Sequence, residues 1–179
     1  DCQIVTVVSS NPSAFALERA RKNNIPAKVI SRKNFSSIED YDDAILAHMR
    51  SHDVQLVVLA GFLSQLGEKF VNAYKNAIIN VHPSLIPSFC GKGYYGLIPH
   101  IKALEYGVKI TGATVHFVEL DYDSGPIILQ KAVEVLPGDT PETLQKRVME
   151  QAEWEILPEA IKLFSQKRLK VNGRLVEIL

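Results

Sequence analysis

Cysteine is scarce. Cys2 and Cys90 are the only two among 179 residues, so neither a disulfide framework nor a cysteine metal site with paired C-x-x-C spacing can be built. That usage fits a reducing, cytoplasmic setting. A charge excess is also lacking: 20 basic residues balance 20 acidic ones, so no overall field favours nucleic acid or an anionic membrane. No apolar run approaches the roughly 20 residues of a membrane span, and no secretory signal pattern stands at the start. Phosphate-loop signatures are missing too. The glycines of Phe89-Cys90-Gly91-Lys92-Gly93-Tyr94-Tyr95-Gly96 fit neither G-x-x-x-x-G-K-[ST] nor a strand followed by G-x-G-x-x-G. With no internal repeats, linkers or low-complexity segments, a single domain over residues 1–179 with a substantial core is expected. The chain begins at Asp1 and almost at once enters an apolar run, so residues preceding Asp1 are expected.

What is present is alternation. Gln3 to Val8 is a short β-branched run that reads as a buried parallel strand, and Ser9 to Ser13 supplies turn and capping residues. A helix over Ala14 to Asn23 carries Phe15, Leu17 and Ala20, and Asn23-Asn24 closes it. Ala27 to Ile30 is a second strand. Ser36 or Ser37 caps a helix to about His52, with Ile38, Tyr41, Ile45, Leu46 and Met49 on one face. His48 and His52 have the i, i+4 spacing of a metal pair but lack a third ligand, so they read as surface residues. Gln55 to Ala60 is the strongest buried-strand signal in the chain. Gly61-Phe62-Leu63 follows, then a helix to about Tyr74 and a strand from Ala77 to Val81. Strand–helix alternation with short connections points to an α/β, doubly wound, mostly parallel sheet.

The later pattern differs. Pro99 to Tyr106 reads as a helix with Gly107 as its C-cap. Lys109 to Val118 and Pro126 to Val135 read as a strand pair that closes one side of the sheet as an antiparallel C-terminal extension. Between them lies an acidic loop from Glu119 to Gly125. Its acids lack the ligand spacing of an EF-hand and read locally as solvated turn residues. Thr140 and Pro141 suit the N-cap and N1 of a helix whose buried stripe is Leu144, Val148, Ala152, Ile156 and Ala160, with Pro158 expected to kink it. The tail around Asn172-Gly173 reads as a hairpin.

Function concentrates in Ile79-Asn80-Val81-His82-Pro83-Ser84-Leu85-Ile86-Pro87-Ser88. In extended chain, residues i and i+2 share a face, so Asn80 and His82 point the same way. A carboxamide donor and an imidazole at a strand end can form a catalytic edge. The competing reading is a Pro-capped turn with His82 merely hydrogen-bonded. In doubly wound sheets ligands bind beyond the carboxyl ends of strands. Gly61-Phe62-Leu63 and His82-Pro83-Ser84 both occupy such ends, which favours the catalytic reading.

Nearly the whole chain resembles the glycinamide ribonucleotide formyltransferase family, folate-dependent enzymes of purine biosynthesis. The resemblance runs through Leu17-Glu18-Arg19-Ala20, Leu59-Ala60-Gly61-Phe62, the segment from Ile79 to Pro87, Thr111 to Val118, Asp123-Ser124-Gly125-Pro126-Ile127-Ile128 and Pro137-Gly138-Asp139-Thr140. It implies direct transfer of formyl from 10-formyltetrahydrofolate to the amine of glycinamide ribonucleotide, without a formyl-enzyme. It implies Asn80, His82 and Asp123 as catalytic residues. Asn80 and an imidazolium N–H of His82 would stabilise the oxyanion of the tetrahedral centre, and Asp123 would favour protonated His82 and help move the amine proton. No metal is needed for that chemistry.

The resemblance places the folate against Leu63, Ser64, Gln65 and Leu66, with Asn80, Val71, Ile78 and Val118 as further pocket residues. Pro83 and Glu153 are the substrate-binding candidates, and Ile86-Pro87 matches a position that is cis in relatives. The family also has an N-terminal strand and a Gly-rich phosphate loop that residues 1–179 do not include, so an N-terminally incomplete formyltransferase domain is expected. Family members often carry an arginine where this chain has Ile38, a contact to the folate tail. Small-molecule partners, a monomer or homodimer, and a cytoplasmic location follow, with no nucleic acid and no membrane. Formyltetrahydrofolate deformylase, which has His-His-Ser where this chain has His82-Pro83-Ser84, and a non-catalytic folate-binding protein are the rival readings.

Overall fold

The computed structural model describes residues 2–179. Strands β1 (Val7–Ser9) and β2 (Ala27–Val29) pair in parallel around helix α1 (Phe15–Lys22). Helix α2 (Ile38–Arg50) starts where Ser37 accepts a hydrogen bond from the Asp40 N–H, the expected cap. It leads to β3 (Val57–Leu59), and helix α3 (Glu68–Ala73) then leads to β4 (Ile78–His82), parallel to β3. After helix α4 (Ile98–Tyr106), closed by Gly107 at φ +79°, strands β5 (Ile110–Phe117) and β6 (Ile127–Glu134) extend the sheet antiparallel in the order β3-β4-β5-β6. Helices α5 (Pro141–Val148) and α6 (Trp154–Ser165) and the hairpin β7 (Leu169–Asn172)–β8 (Leu175–Ile178) complete the chain.

Two cores lie on opposite faces of the sheet. Ile78 packs with Tyr41, Ile45, Leu46 and Phe70 from α2 and α3, whereas its neighbour Ile79 packs with Val115, Phe117, Leu144, Val148 and Ala160. Successive strand residues face opposite ways, so these helices cover both sides: an α/β architecture with two parallel pairs before the antiparallel extension.

The first strands are less buried than the apolar runs suggest. Gln3 to Thr6 lies outside β1, which is half-exposed at Val7 and Val8. Gln55 to Ala60 gives only the three residues of β3, with Val58 exposed. Among the described residues β1 bonds only to β2 and β3 only to β4, and no ladder joins the two sheets. An apolar run reports what a strand can bury, but its neighbours decide what it does bury.

Two further expectations are corrected. The stripe Leu144, Val148, Ala152, Ile156 and Ala160 is buried as read, and Thr140 caps α5 through a reciprocal pair with Thr143. However, the helix is interrupted by a π-helical turn at Met149–Glu153, while Pro158 sits inside α6. In the tail, Asn172 pairs with Leu175, so the two-residue loop is Gly173-Arg174, with Gly173 at φ +60°. Glycine at the first loop position accepts that backbone without a Cβ clash.

Candidate active site

The end of β4 opens into a cleft of about 750 Å³. Its walls include Leu63, Ser64, Gln65, Leu66, Val71, Asn80, His82, Pro83, Val118, Asp123 and Glu153. Every residue expected at the site is therefore on one cavity, with a single exception. Ile78 is 1% exposed and belongs to the core behind the wall. Ile78 shares a face with Asn80, but it lies deeper, where α2 and α3 already cover the sheet. Ile86-Pro87 is cis, as the resemblance implied.

The register brings the polar groups together. Asn80 is opposite His116, and His82 is opposite Thr114 across the β4–β5 ladder. A register slip between Val115 and His116 on the β6 side leaves Ile128 unpaired, and just before it Gly125 packs on the Phe117 carbonyl, where a Cβ would collide. That tight return delivers Asp123, whose backbone is left-handed at φ +52°, a conformation aspartate tolerates better than most residues. Asp123 Oδ2 lies 3.5 Å from His82 Nδ1 and Oδ1 lies 3.6 Å from His116 Nε2. The Gly91 N–H donates to Asp123 Oδ2 at 2.8 Å, tying the glycine-rich loop to the same carboxylate. Arg174 of the tail hairpin donates to the Ser124 carbonyl at 2.8 Å and fixes the acidic turn from outside. The turn acid Asp123 is thus not a solvated one.

The hydrogen bonds assign the tautomers. His82 Nε2 lies 3.0 Å from the Phe89 carbonyl, so Nε2 carries the proton and Nδ1 presents its lone pair to Asp123. His116 Nδ1 lies 2.7 Å from the Phe117 carbonyl and so carries the proton. His116 Nε2 is then the acceptor for Asn80 Nδ2, 3.2 Å away. This orients the Asn80 amide and leaves its second N–H for the cleft. His116 is the principal site residue that sequence reasoning left without a role. Its signal was present, because it alternates with Thr114 on a strand, but only the ladder shows that it faces Asn80.

Charge follows from burial and neighbours. Burial lowers the pKa of His82 below its ordinary value. The Phe89 carbonyl and the Asp123 charge oppose this without overcoming it, and His116 adds to the lowering. Asp123 thus favours the charged form of His82, as the resemblance implied, while burial works against it. In addition, the Nε2–H is engaged by Phe89, so no His82 N–H is free for an oxyanion in this geometry. Burial alone would raise Asp123, but the side chains of His116 and His82 and the Gly91 N–H together bring it below the usual carboxylate range. His100 on α4, fully buried with neither ring nitrogen hydrogen-bonded, is pushed down to about 4, chiefly by burial. Burial raises the Glu153 carboxyl, which reaches the cleft from the π-helical turn alongside Met149.

Elsewhere, the rings of His48 and His52 lie 4.4 Å apart, tilted by 49°. No group of three or more His, Cys, Asp or Glu among the described residues is placed to hold a metal ion. Among the described residues no helix is long and apolar enough to cross a membrane.

Comparison with known proteins agrees with this geometry. The family model described as Formyl transferase matches residues 1–161. A phosphoribosylglycinamide formyltransferase from Haemophilus influenzae is 39% identical over 173 residues, covering 97% of this chain and 79% of that protein. The trifunctional purine biosynthetic protein adenosine-3 of Gallus gallus is 41% identical over 170 residues, and the chain spans only 16% of its length. Among solved structures, glycinamide ribonucleotide transformylase 1 from Symbiobacterium toebii superposes with a TM-score of 0.92 at 42% identity, covering 99% of this chain and 81% of that one. A formyltetrahydrofolate deformylase from Pseudomonas syringae superposes with a TM-score of 0.83 at 26% identity, and the chain covers 57% of it.

Proposed function

The chain belongs to the formyl transferase family, and from that premise we propose that it transfers the formyl group of 10-formyltetrahydrofolate to the amine of glycinamide ribonucleotide, a step of purine biosynthesis. The observation that carries the reading is the convergence of Asn80, His82 and Asp123 on one cleft beside Leu63 to Leu66. The similarity to enzymes named phosphoribosylglycinamide formyltransferase supports it over deformylation.

The amine nitrogen attacks the formyl carbon, a C–N bond forms, and the carbonyl π pair becomes an oxyanion. The free Asn80 amide N–H stabilises that charge, because a preorganised donor acts most strongly where charge develops. His116 holds the amide in place. His82 Nδ1 accepts the proton shed by the attacking nitrogen, and the Asp123 carboxylate stabilises the imidazolium so formed. Collapse breaks the bond to N10 of the folate, which takes up the proton. Leu63, Ser64, Gln65, Leu66, Val71 and Val118 border the folate side of the cleft, and Pro83 and Glu153 face the ribonucleotide. Residues 1–179 belong to a single formyltransferase domain of a cytoplasmic protein that works as a monomer or homodimer on small-molecule substrates.

Following donor consumption with and without glycinamide ribonucleotide tests the reading. Consumption that depends on the amine supports transfer. Equal consumption in both would indicate a hydrolase, and none would indicate a folate-binding protein.

A further inference from the structure

One row of residues crosses three strands at the mouth of the cleft: His82 on β4 is opposite Thr114 on β5, which is opposite Gln130 on β6. Thr114 is fully buried. Its hydroxyl donates to the Ser84 carbonyl at 2.7 Å and accepts from the Ile86 N–H at 3.1 Å and from Gln130 Nε2 at 2.9 Å. A hydroxyl has one donor and two acceptor sites, so the group is saturated. Gln130 Nε2 also reaches the Ile86 carbonyl at 3.0 Å. Within the loop, Ser84 Oγ donates to the Ser88 carbonyl at 2.6 Å and the Ser88 N–H to the Leu85 carbonyl at 3.0 Å.

Every one of these bonds holds the segment from Ser84 to Ser88, and that segment ends at Phe89, whose carbonyl receives the Nε2–H of His82. An imidazole's tautomer is set by the hydrogen bond its other nitrogen makes. We propose that Thr114, with Gln130, is a positioning device: by clamping the 84–88 loop to the sheet it fixes the Phe89 carbonyl, and so keeps His82 as the Nε2–H tautomer with its Nδ1 lone pair turned to Asp123. The inference deepens the proposed function, because it rests on His82 as the proton acceptor. Neither Thr114 nor Gln130 lines the cleft, and both act through the loop.

Nitrogen-15 spectra of histidine-labelled, ligand-free protein, at a pH where His82 is neutral, read the tautomer directly. The wild type shows His82 as the single Nε2–H form. Thr114→Val keeps the shape but removes the hydroxyl, and it gives mixed tautomers with kcat down by about 10²-fold, the scale of a small misplacement, while KM changes little. Thr114→Ser restores both readouts. If Thr114→Val does not fold, Gln130→Leu removes one leg of the clamp from the exposed edge and decides the question by the same spectrum. An unchanged tautomer in the folded variants overturns the proposal whatever their turnover. A wild type that transfers no formyl would overturn the function reading, and the spectra would still decide this one.

Discussion

His82 Nδ1 and Asp123 Oδ2 stand 3.5 Å apart on the floor of the cleft, although one ends a strand and the other sits in a turn between two others. With the His82 Nε2 proton directed at Phe89, the nitrogen facing the carboxylate is the bare one. The pair is therefore arranged to take up a proton between its members. It is not arranged to hold one in advance.

The coupling has a sign. The Asp123 charge raises the pKa of His82 against the larger effect of burial. Asp123→Asn removes that contribution, so His82 titrates at lower pH than in the wild type. The acid limb of the pH–rate profile moves to lower pH and kcat falls. Profiles of kcat for the two proteins check this, and an acid limb that does not move refutes the coupling.

Asn80 supplies the oxyanion donor in the proposed mechanism. Asn80→Ala lowers kcat by about 10²–10³, the usual consequence of removing such a group. The residue is only half-buried, so folding changes little. Steady-state kinetics beside a thermal melt test both statements together, and near-wild-type turnover excludes the role.

Acid should destabilise the fold through His100. Its ring is held at about 4 when folded, against an ordinary value of 6.5. A depressed histidine binds fewer protons folded than unfolded, so its contribution is intact above about pH 6.5 and is lost as pH falls toward about 4. The loss is on the order of a few kcal/mol. Urea midpoints across this range should fall less steeply in His100→Leu, which also removes two unpartnered polar atoms from the core. Parallel curves for the two proteins would contradict the assignment.

Asp42 anchors the loop that carries Leu63 to Leu66, the folate side in the proposed function. Fully buried, it accepts from the Gly67 N–H at 2.9 Å and the Phe70 N–H at 3.0 Å, capping α3 directly after Leu63 to Leu66. Asp42→Ala strands both donors and costs about 1–3 kcal/mol for each, with a raised KM for the folate. Denaturant unfolding measures the first effect and kinetics the second. A loss below about 0.5 kcal/mol, the range of neutral surface changes, would show that water replaces the carboxylate.

Much of this protein is local and was legible in the chain. The Ser37 and Thr140 caps, Gly107 at a helix end, the stripe from Leu144 to Ala160 and the shared face of Asn80 and His82 depend on spacings of a few residues, where backbone geometry dictates side-chain direction. Family motifs extended that reading to Asp123. What the sequence could not settle depended on pairing between distant strands. Val58 is exposed although it lies in the strongest apolar run of the chain. His116 meets Asn80, and Thr114 meets Gln130, because of one register, and the bulge that follows it helps to aim Asp123. The balance at His82 was hidden for the same reason: a carboxylate nearby favours charge, whereas the depth of burial that opposes it and the Phe89 carbonyl are properties of the folded cleft. Residue types and their periodicity determined which groups could act. Register and burial decided which of them face one another and in which protonation state, since those quantities exist only once the strands are laid side by side.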